Sequence, residues 1–199
     1  AKISSKIPIL KNIIKIADHI IIGGGMSFTF IKAMGGQIGL SIHEDSMLDT
    51  AKEIIKKAEK NNVKIYLPID VVCSKDFDNE SERKIFDITK IDNDFQGMDA
   101  GPKSLDLFEK VVMDSKTILW NGPLGVFEFS NFSNGTKMLG DFISKSTKQG
   151  AFSLVGGGDS VAAVKKFKIE NKMSYVSTGG GAMLESLEGK DLPGINALL

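Results

Sequence analysis

Three glycine runs carry the clearest chemical signal in the sequence: Gly23-Gly24-Gly25, Gly156-Gly157-Gly158 and Gly179-Gly180-Gly181. Each follows a short apolar stretch typical of a buried strand, and the second and third precede helix-start signals. Glycine lets the backbone approach a ligand closely and turn its N–H groups inward, and a helix N-terminus adds partial positive charge that favours phosphate. One such run is typical of a tight turn, whereas three at equivalent positions favour a phosphate site.

Two common phosphate signatures are missing from the sequence. No G-x-x-x-x-G-K-[ST] motif occurs, which argues against a P-loop NTPase. The dinucleotide fingerprint is incomplete, because the segment Gly23-Gly24-Gly25-Met26-Ser27-Phe28 lacks its last glycine. Glu44 and Asp45 lie about twenty residues further on, where a ribose-binding acid would sit, but no apolar strand leads into them. An NAD-binding oxidoreductase domain therefore stays open as an alternative.

Few side chains suit covalent or acid–base chemistry. His19 and His43 are the two histidines, and neither lies in a motif. Cys73 is the one cysteine and has no paired base, so the sequence does not indicate a nucleophile. Basic and acidic residues balance at 25 each, which gives no argument for binding nucleic acid or an anionic membrane. Any bound anion would have to be held by local geometry.

Short, nearly continuous apolar runs predict the strands that must position the glycine runs. Such runs, rather than strict alternation, are typical of a parallel sheet covered on both faces. The predicted strands are residues 20–22, 63–67, 117–120 and 152–155, with 174–177 as a fifth and 70–72 as a shorter sixth.

Apolar residues at helical spacing fill the segments between these strands. The predicted helices are 4–16, 48–58, 105–112, 139–143 and 161–167, and the polar stretch 75–96 is predicted to be an excursion with a short helix or strands. Alternating strands and helices predict one α/β domain, a three-layer α/β/α structure around a doubly wound, mostly parallel, Rossmann-like sheet. The glycine runs should then converge at the carboxyl ends of its strands.

Four segments resemble the motifs of the phosphoglycerate kinase family in order and spacing. The segment Trp120-Asn121-Gly122-Pro123-Leu124-Gly125-Val126-Phe127-Glu128 closely resembles the family signature, and residues 22–30, 155–160 and 176–182 resemble three further motifs. The resemblance covers essentially the whole chain. It implies that residues 1–199 form the C-terminal, nucleotide-binding domain of that family and that the N-terminal substrate domain is absent from the chain.

The resemblance also implies an activity. The family transfers phosphoryl between 1,3-bisphosphoglycerate with ADP and 3-phosphoglycerate with ATP, uses Mg²⁺, and belongs to glycolysis. The acceptor is a carboxylate, already ionised at pH 7, so the lack of a catalytic base is compatible with this reaction. A cytoplasmic monomer with no membrane or nucleic-acid partner is expected. Because the substrates would sit on separate lobes, the chain alone is expected to bind Mg-nucleotide without turnover. A noncatalytic nucleotide-binding module is the second alternative.

Individual roles follow from the same resemblance. Lys2 and Lys6 would contact the nucleotide phosphates and the phosphoryl group in transit, and Asp159 would ligate Mg²⁺. Asn121 would bond a phosphate oxygen, and Glu128 would accept the ribose hydroxyls. From the residues alone, Asp159 is equally a good N-cap, and the two lysines are equally solvated side chains.

The remaining predicted site residues form two sets. The adenine pocket is expected to consist of small and apolar residues: Gly24, Gly25, Phe77, Gly97, Met98, Pro123 and Val126. Backbone N–H groups of the second and third glycine runs would bind the phosphates, with Gly157, Gly158 and Gly180 closest to the transfer; Gly23, Gly125, Gly156 and Ser160 complete the nucleotide site.

Overall fold

Ten strands and seven α-helices make up the described part of the chain. The computed structural model describes residues 3–187 and residue 189. The strands are β1 (His19–Ile21), β2 (Gln37–Ile38), β3 (Lys64–Tyr66), β4 (Asp70–Ser74), β5 (Lys84–Asp87), β6 (Lys90–Ile91), β7 (Gln96–Ala100), β8 (Thr117–Trp120), β9 (Phe152–Val155) and β10 (Tyr175–Val176). The helices are α1 (Ile7–Ile13), α2 (Gly24–Ala33), α3 (Leu48–Lys60), α4 (Pro102–Asp114), α5 (Asn134–Lys148), α6 (Gly158–Lys166) and α7 (Gly180–Leu187).

Parallel pairing dominates, as the apolar runs predict. Strand β1 pairs with β3, and a second parallel group has the order β10-β9-β8. Strands β8 and β9 match the predicted segments residue for residue. The side chains of Ile21 and Tyr66 pack against the same core cluster as β8 and β9, so the two parallel groups share one hydrophobic core.

An antiparallel sheet is the main departure from the prediction. Strand β4 lies between β5 and β7 and is antiparallel to both, with an irregularity between Val72 and Cys73. The predicted short strand at 70–72 is therefore longer than expected and pairs outside the parallel groups. The polar stretch 75–96 supplies β5 and β6, and β6 pairs in parallel with β2. Pairing partners far along the chain, rather than local apolarity, specify these strands.

Helices bury one face each, which ties the strands together. In α3 the buried residues Ala51, Ile54 and Ala58 recur at helical spacing. Helix α2 spans two clusters, because Phe30 packs with α1 and α3 whereas Phe28 packs beneath the antiparallel sheet. Helices α4, α5 and α6 cover β8 and β9 through a cluster that includes Phe108, Phe142, Ile143, Val155 and Val164. Among the described helices, none combines the length and apolarity that crossing a membrane requires.

Candidate functional site

The carboxyl ends of β8, β9 and β10 lie level at one edge. Trp120 is in register with Val155, and Val155 with Val176. The chain leaves this edge into the segment 121–128 after β8 and into the second glycine run after β9, and it reaches the third run shortly after β10. The register therefore brings together the three segments that the sequence predicts to converge.

The first glycine run lies against the segment 121–128, which we call the signature loop. A Cβ on Gly23 would overlap the side chain of Leu124. Gly24 has φ +60°, and a Cβ there would lie 2.8 Å from the carbonyl oxygen of Pro123. Both the close approach and the left-handed backbone require glycine. The end of β1 is thereby held beside the end of β8.

Asn121 connects the signature loop to a lysine and to the second glycine run. Its Nδ2 donates to the carbonyl oxygen of Gly156 at 2.8 Å, and its Oδ1 accepts from Lys6 Nζ at 2.7 Å. Gly157 has φ +90°, and a Cβ there would lie 2.5 Å from Asn121 Nδ2. One side chain thus gathers a cation and a glycine turn, both predicted site features, around itself.

The second glycine run ends in a helix N-terminus without a side-chain cap. Gly157 is the N-cap of α6, no side chain in the described part of the chain caps the helix, and no described atom lies close to Gly158 where a Cβ would stand. The amide of Gly156 differs, because it donates to the carbonyl oxygen of Trp120 at 3.0 Å and its Cα faces the Met183 side chain. Gly156 is therefore a structural link, and the predicted donors that stay accessible belong to the following residues.

Asp159 is the second residue of α6 and is exposed. Within the described residues its carboxylate makes no hydrogen bond or ion pair. Since Gly157 is the N-cap, the alternative that Asp159 caps the helix is not realised. The carboxylate lies in the first turn, where a helix favours negative charge, and both of its oxygens can accept a cation.

The third glycine run begins α7. Gly179 accepts a hydrogen bond from Met183 N at 3.1 Å, and open space surrounds Gly179 and Gly181. Through the Met183 side chain, α7 lies against the second run. Gly180 is the first residue of α7.

Backbone contacts hold the predicted adenine residues beside the signature loop. The carbonyl oxygen of Met98 accepts from Val126 N at 2.9 Å. A Cβ on Gly97 would overlap the Phe28 ring, and Gly97 N donates to Ser41 Oγ at 2.9 Å. Phe77 is 62% exposed, with its ring centroid 5.1 Å from that of Phe129.

A single cleft collects most of the predicted residues. Its volume is about 1720 Å³, larger than the roughly 300–1,000 Å³ of a typical ligand pocket. Its lining also extends below the loops to Ile20 and Ile118. The predicted residues that line it are Lys6, Gly23, Gly24, Gly25, Phe77, Gly97, Met98, Asn121, Pro123, Gly125, Val126, Glu128, Gly157, Gly158, Asp159 and Ser160. Gly156 does not line it, and Lys2 lies outside the described residues.

Of three side chains that hold the signature loop, two had no distinguishing signal in the sequence, those of Thr136 and Lys166. Ser160, predicted to bind nucleotide, accepts a hydrogen bond from Gly122 N through its Oγ at 2.6 Å. Thr136 Oγ1 accepts from Leu124 N at 3.1 Å, and Lys166 Nζ donates to the carbonyl oxygen of Phe127 at 2.6 Å. Thr136 and Lys166 are distant in sequence from the loop and lie outside the motifs, whereas Ser160 belongs to the 155–160 motif and only its bond to the loop was not predicted.

Two buried titratable groups lie near the site or beneath it. Burial raises the pKa of Asp99 to about 7, against the opposing hydrogen bonds from Gly135 N and Ala100 N. Burial, with a smaller contribution from the Asp92 charge, raises the pKa of the Cys73 thiol to about 12. That thiol stays protonated at neutral pH, which fits the prediction that it is not a nucleophile.

The acids expected of a dinucleotide site are engaged elsewhere. Ser4 Oγ donates to the Glu44 carboxylate at 2.6 Å, and Asp45 forms an ion pair with Lys32 at 2.7 Å. Neither Glu44 nor Asp45 lines the cleft. The structure therefore gives no support to the NAD alternative.

Parallel strands covered by helices, with glycine-rich turns at their carboxyl ends, define the class of doubly wound α/β domains, which bind ligands at that edge. The sequence model of the family described as phosphoglycerate kinase matches residues 1–190. The chain belongs to the phosphoglycerate kinase family.

Named relatives agree with this assignment. The chain is 54% identical to a phosphoglycerate kinase of Porphyromonas gingivalis, with all of the chain and 47% of the relative covered. It is 47% identical to one of Thermosipho africanus, again over all of the chain and 50% of the relative. The chain thus spans about half the length of the curated relatives it matches.

Solved structures show the same relation. The phosphoglycerate kinase of Coxiella burnetii matches with a TM-score of 0.95 at 43% identity, over 99% of this chain and 50% of that one. The enzyme of Pyrococcus horikoshii matches with a TM-score of 0.81 at 29% identity, over the whole chain and 49% of the other. The α/β fold predicted from the sequence is confirmed.

Proposed function

We propose that residues 1–199 act as the C-terminal, nucleotide-binding domain of a phosphoglycerate kinase. In this proposal the chain holds Mg-ADP or Mg-ATP, and an N-terminal domain outside these residues holds 1,3-bisphosphoglycerate or 3-phosphoglycerate. The full-length protein would then be a glycolytic phosphotransferase with a carboxyl group as acceptor, a monomer in the cytoplasm. The family assignment and the half-length match to named relatives support the proposal.

The observation that carries the proposal is the double hydrogen bond of Asn121. It places the Lys6 ammonium beside the turn that leads into α6, and Asp159 follows within that helix's first turn. A cation, a glycine turn, an uncapped helix N-terminus and an unpaired carboxylate suit a polyphosphate carrying a divalent ion.

Asp159 fits a magnesium ligand by its surroundings. Magnesium bound with a nucleotide takes one or two protein carboxylates together with phosphate oxygens and waters. The Asp159 carboxylate is exposed in the cleft and unpaired with described residues, which matches that donor set. When bound, the ion would neutralise phosphate charge and orient the β- and γ-phosphates.

The chain's own groups would supply alignment and charge stabilisation. The acceptor carboxylate has a pKa of about 4, so no general base is needed. The ammonium groups of Lys6 and Lys2, with N–H groups of Gly157, Gly158 and Gly180, would donate to phosphoryl oxygens as charge spreads over them. A flexible point charge suits a group that moves between two oxygens.

The nucleoside would occupy the other end of the cleft. The adenine would lie among small and apolar residues, and the exposed carboxylate of Glu128 would accept the ribose hydroxyls. Residues proposed to line the nucleoside site are Gly23, Gly24, Gly25, Phe77, Gly97, Met98, Pro123, Gly125 and Val126.

Calorimetric titration of Asp159→Asn tests the proposal. We expect the affinity for Mg-ADP to fall about tenfold or more, a loss of about 1.4 kcal/mol or more, with little change for ADP without magnesium. Asp49→Asn is a matched control, because Asp49 is also an exposed second residue of a helix but lies outside the cleft. Equal losses in both variants, or tighter binding of NAD than of Mg-ADP by the unaltered chain, would overturn the proposal.

A further inference from the structure

Helix α6 fastens the signature loop at both ends. At the start of the loop, Gly122 N donates to Ser160 Oγ in the helix's first turn. At the end of the loop, Lys166 Nζ donates to the carbonyl oxygens of Phe127 at 2.6 Å and Glu128 at 3.0 Å. A single rigid element thus sets the positions of both loop ends.

The Lys166 ammonium donates its hydrogen bonds to backbone carbonyl oxygens. Within the described residues its ammonium has no carboxylate partner, and it lies 5.8 Å from the centroid of the Phe127 ring. Hydrogen bonds from an ionised donor are stronger than neutral ones. The side chain of the neighbouring Lys165, in the same last turn, makes no hydrogen bond with a described residue. The contact therefore belongs to one of two adjacent lysines, which provides a matched control.

Turn hydrogen bonds from Phe127 N to the Gly125 carbonyl oxygen at 2.8 Å and from Phe129 N to the Val126 carbonyl oxygen at 3.0 Å shape the end of the loop, but only Lys166 ties that end to α6 among the described residues. The hydrogen bond from Val126 N to the Met98 carbonyl oxygen fixes the middle of the loop. Beyond it, the Glu128 side chain is exposed and makes no bond with a described residue. Lys166 adds the two hydrogen bonds that tie the carbonyl groups of Phe127 and Glu128 to α6, so their loss would let the Glu128 carboxylate shift relative to that helix.

The same helix carries Asp159 in its first turn. Asp159 and Lys166 lie seven positions apart, about 10 Å along the helix axis. Any displacement of α6 moves both, so the two carboxylates proposed to face the phosphates and the ribose are linked through one element.

We infer that Lys166 is a positioning residue that fixes Glu128 for the ribose hydroxyls of a nucleoside diphosphate. The inference rests on the proposed function, because it takes Glu128 as the ribose acceptor. Lys166 itself touches no ligand in this scheme. Its ammonium acts through the backbone, and the effect of removing it should therefore depend on whether the nucleotide has ribose hydroxyls.

Titrations with Mg-ADP and Mg-2′,3′-dideoxy-ADP test the inference on the full chain. Lys166→Met keeps the aliphatic stem and removes both hydrogen bonds. We expect it to weaken Mg-ADP binding about five- to tenfold and to leave dideoxy-ADP binding unchanged, whereas Lys165→Met should change neither. Lys166→Arg retains a donor and should restore most of the affinity. In a Glu128→Gln background, Lys166→Met should have no further effect.

The outcomes separate this inference from the proposal beneath it. If the unaltered chain favours ADP over dideoxy-ADP but Lys166→Met matches Lys165→Met, the positioning role is wrong and the nucleotide site stands. If Lys166→Met weakens both nucleotides equally, its effect is general and the positioning role is again wrong. If the unaltered chain fails to bind Mg-ADP, the proposed function fails and the inference falls with it.

Discussion

Asp99 is a buried carboxylate that connects three parts of the protein around the site through backbone hydrogen bonds and close glycine contacts. It follows Met98, and its oxygens accept from Ala100 N at 2.9 Å and Gly135 N at 2.7 Å. Side-chain carbons at Gly125 or Gly135 would overlap it, so both positions require glycine for its burial. The carboxylate thereby joins β7, the signature loop and the start of α5.

Titration of Asp99 should make stability depend on pH in the neutral range. Its pKa in the folded protein, about 7, lies above the ordinary 3.8, so the folded state binds the proton more tightly than the unfolded state. Stability is greatest below about pH 4 with respect to this group and is lost as pH rises through 7, by about 2 kcal/mol between pH 5 and pH 7. Urea unfolding across that range measures the slope.

Variants distinguish Asp99 from the other carboxylates. A hydrogen bond lowers the pKa of each of three other carboxylates: from Lys32 for Asp45, from Thr89 for Asp87 and from Lys75 for Asp94. The stability that these three groups contribute to the folded protein is therefore lost only at lower pH. Asp99→Asn should abolish the change of stability between pH 5 and pH 7, and the control Asp76→Asn, at an exposed position, should retain it. An unchanged slope in Asp99→Asn would contradict the assignment.

Helix α4 shows how an element can be capped from a distant strand. The N-cap is Gly101, which has no side chain, and the buried Asp70 of β4 takes its place. The Asp70 carboxylate accepts from Lys103 N at 3.0 Å and from Ser104 N at 2.8 Å. This bond pair ties the antiparallel sheet to the helix that covers β8.

Removing the distant cap should destabilise the fold. Asp70→Ala leaves two helix N–H groups without their partner, and we expect a loss of about 1–3 kcal/mol. Asp106→Ala, on the exposed face of the same helix, should change stability by less than about 0.5 kcal/mol. Chemical denaturation of both variants gives the comparison, and equal losses would show that the long-range cap contributes nothing.

Elements whose own residues determine their structure were predictable from the sequence, and elements that depend on distant contacts were not. Strands β8 and β9 are predominantly apolar segments, and their own residues specify them. Strand β7 reads Gln-Gly-Met-Asp-Ala, and it forms because Gly97 fits against Phe28 and because β4 supplies its ladder. The opening helix is shorter than the predicted 4–16, since α1 begins at Ile7, with Pro8 in its first turn, and ends at Ile13.

At the scale of the whole molecule, local motifs predicted part of the site, and long-range packing determined the rest. Glycine runs marked the strand ends, and the structure brings those ends together. The contacts of Thr136 and Lys166 with the signature loop were not predictable, because both residues meet it only after the helices pack. Ser160 was predicted to bind nucleotide, but its hydrogen bond with Gly122 N was not predicted. Apart from the placement of Lys6 and Asn121, the residue roles stay predictions that ligand measurements must test.

The proposed placement of the two substrates on two halves predicts how activity should behave. The chain spans about half of its relatives, so the 199 residues alone should bind Mg-ADP without forming ATP from 1,3-bisphosphoglycerate. Adding a separately produced N-terminal half from a relative such as that of Porphyromonas gingivalis should restore measurable ATP formation in a coupled assay, because closure would then align acceptor, phosphorus and leaving oxygen. Lys6→Met in the mixture should lower kcat, while Asp49→Asn should not. Turnover by the chain alone would show that both substrates fit within these residues and would refute the division of labour between halves.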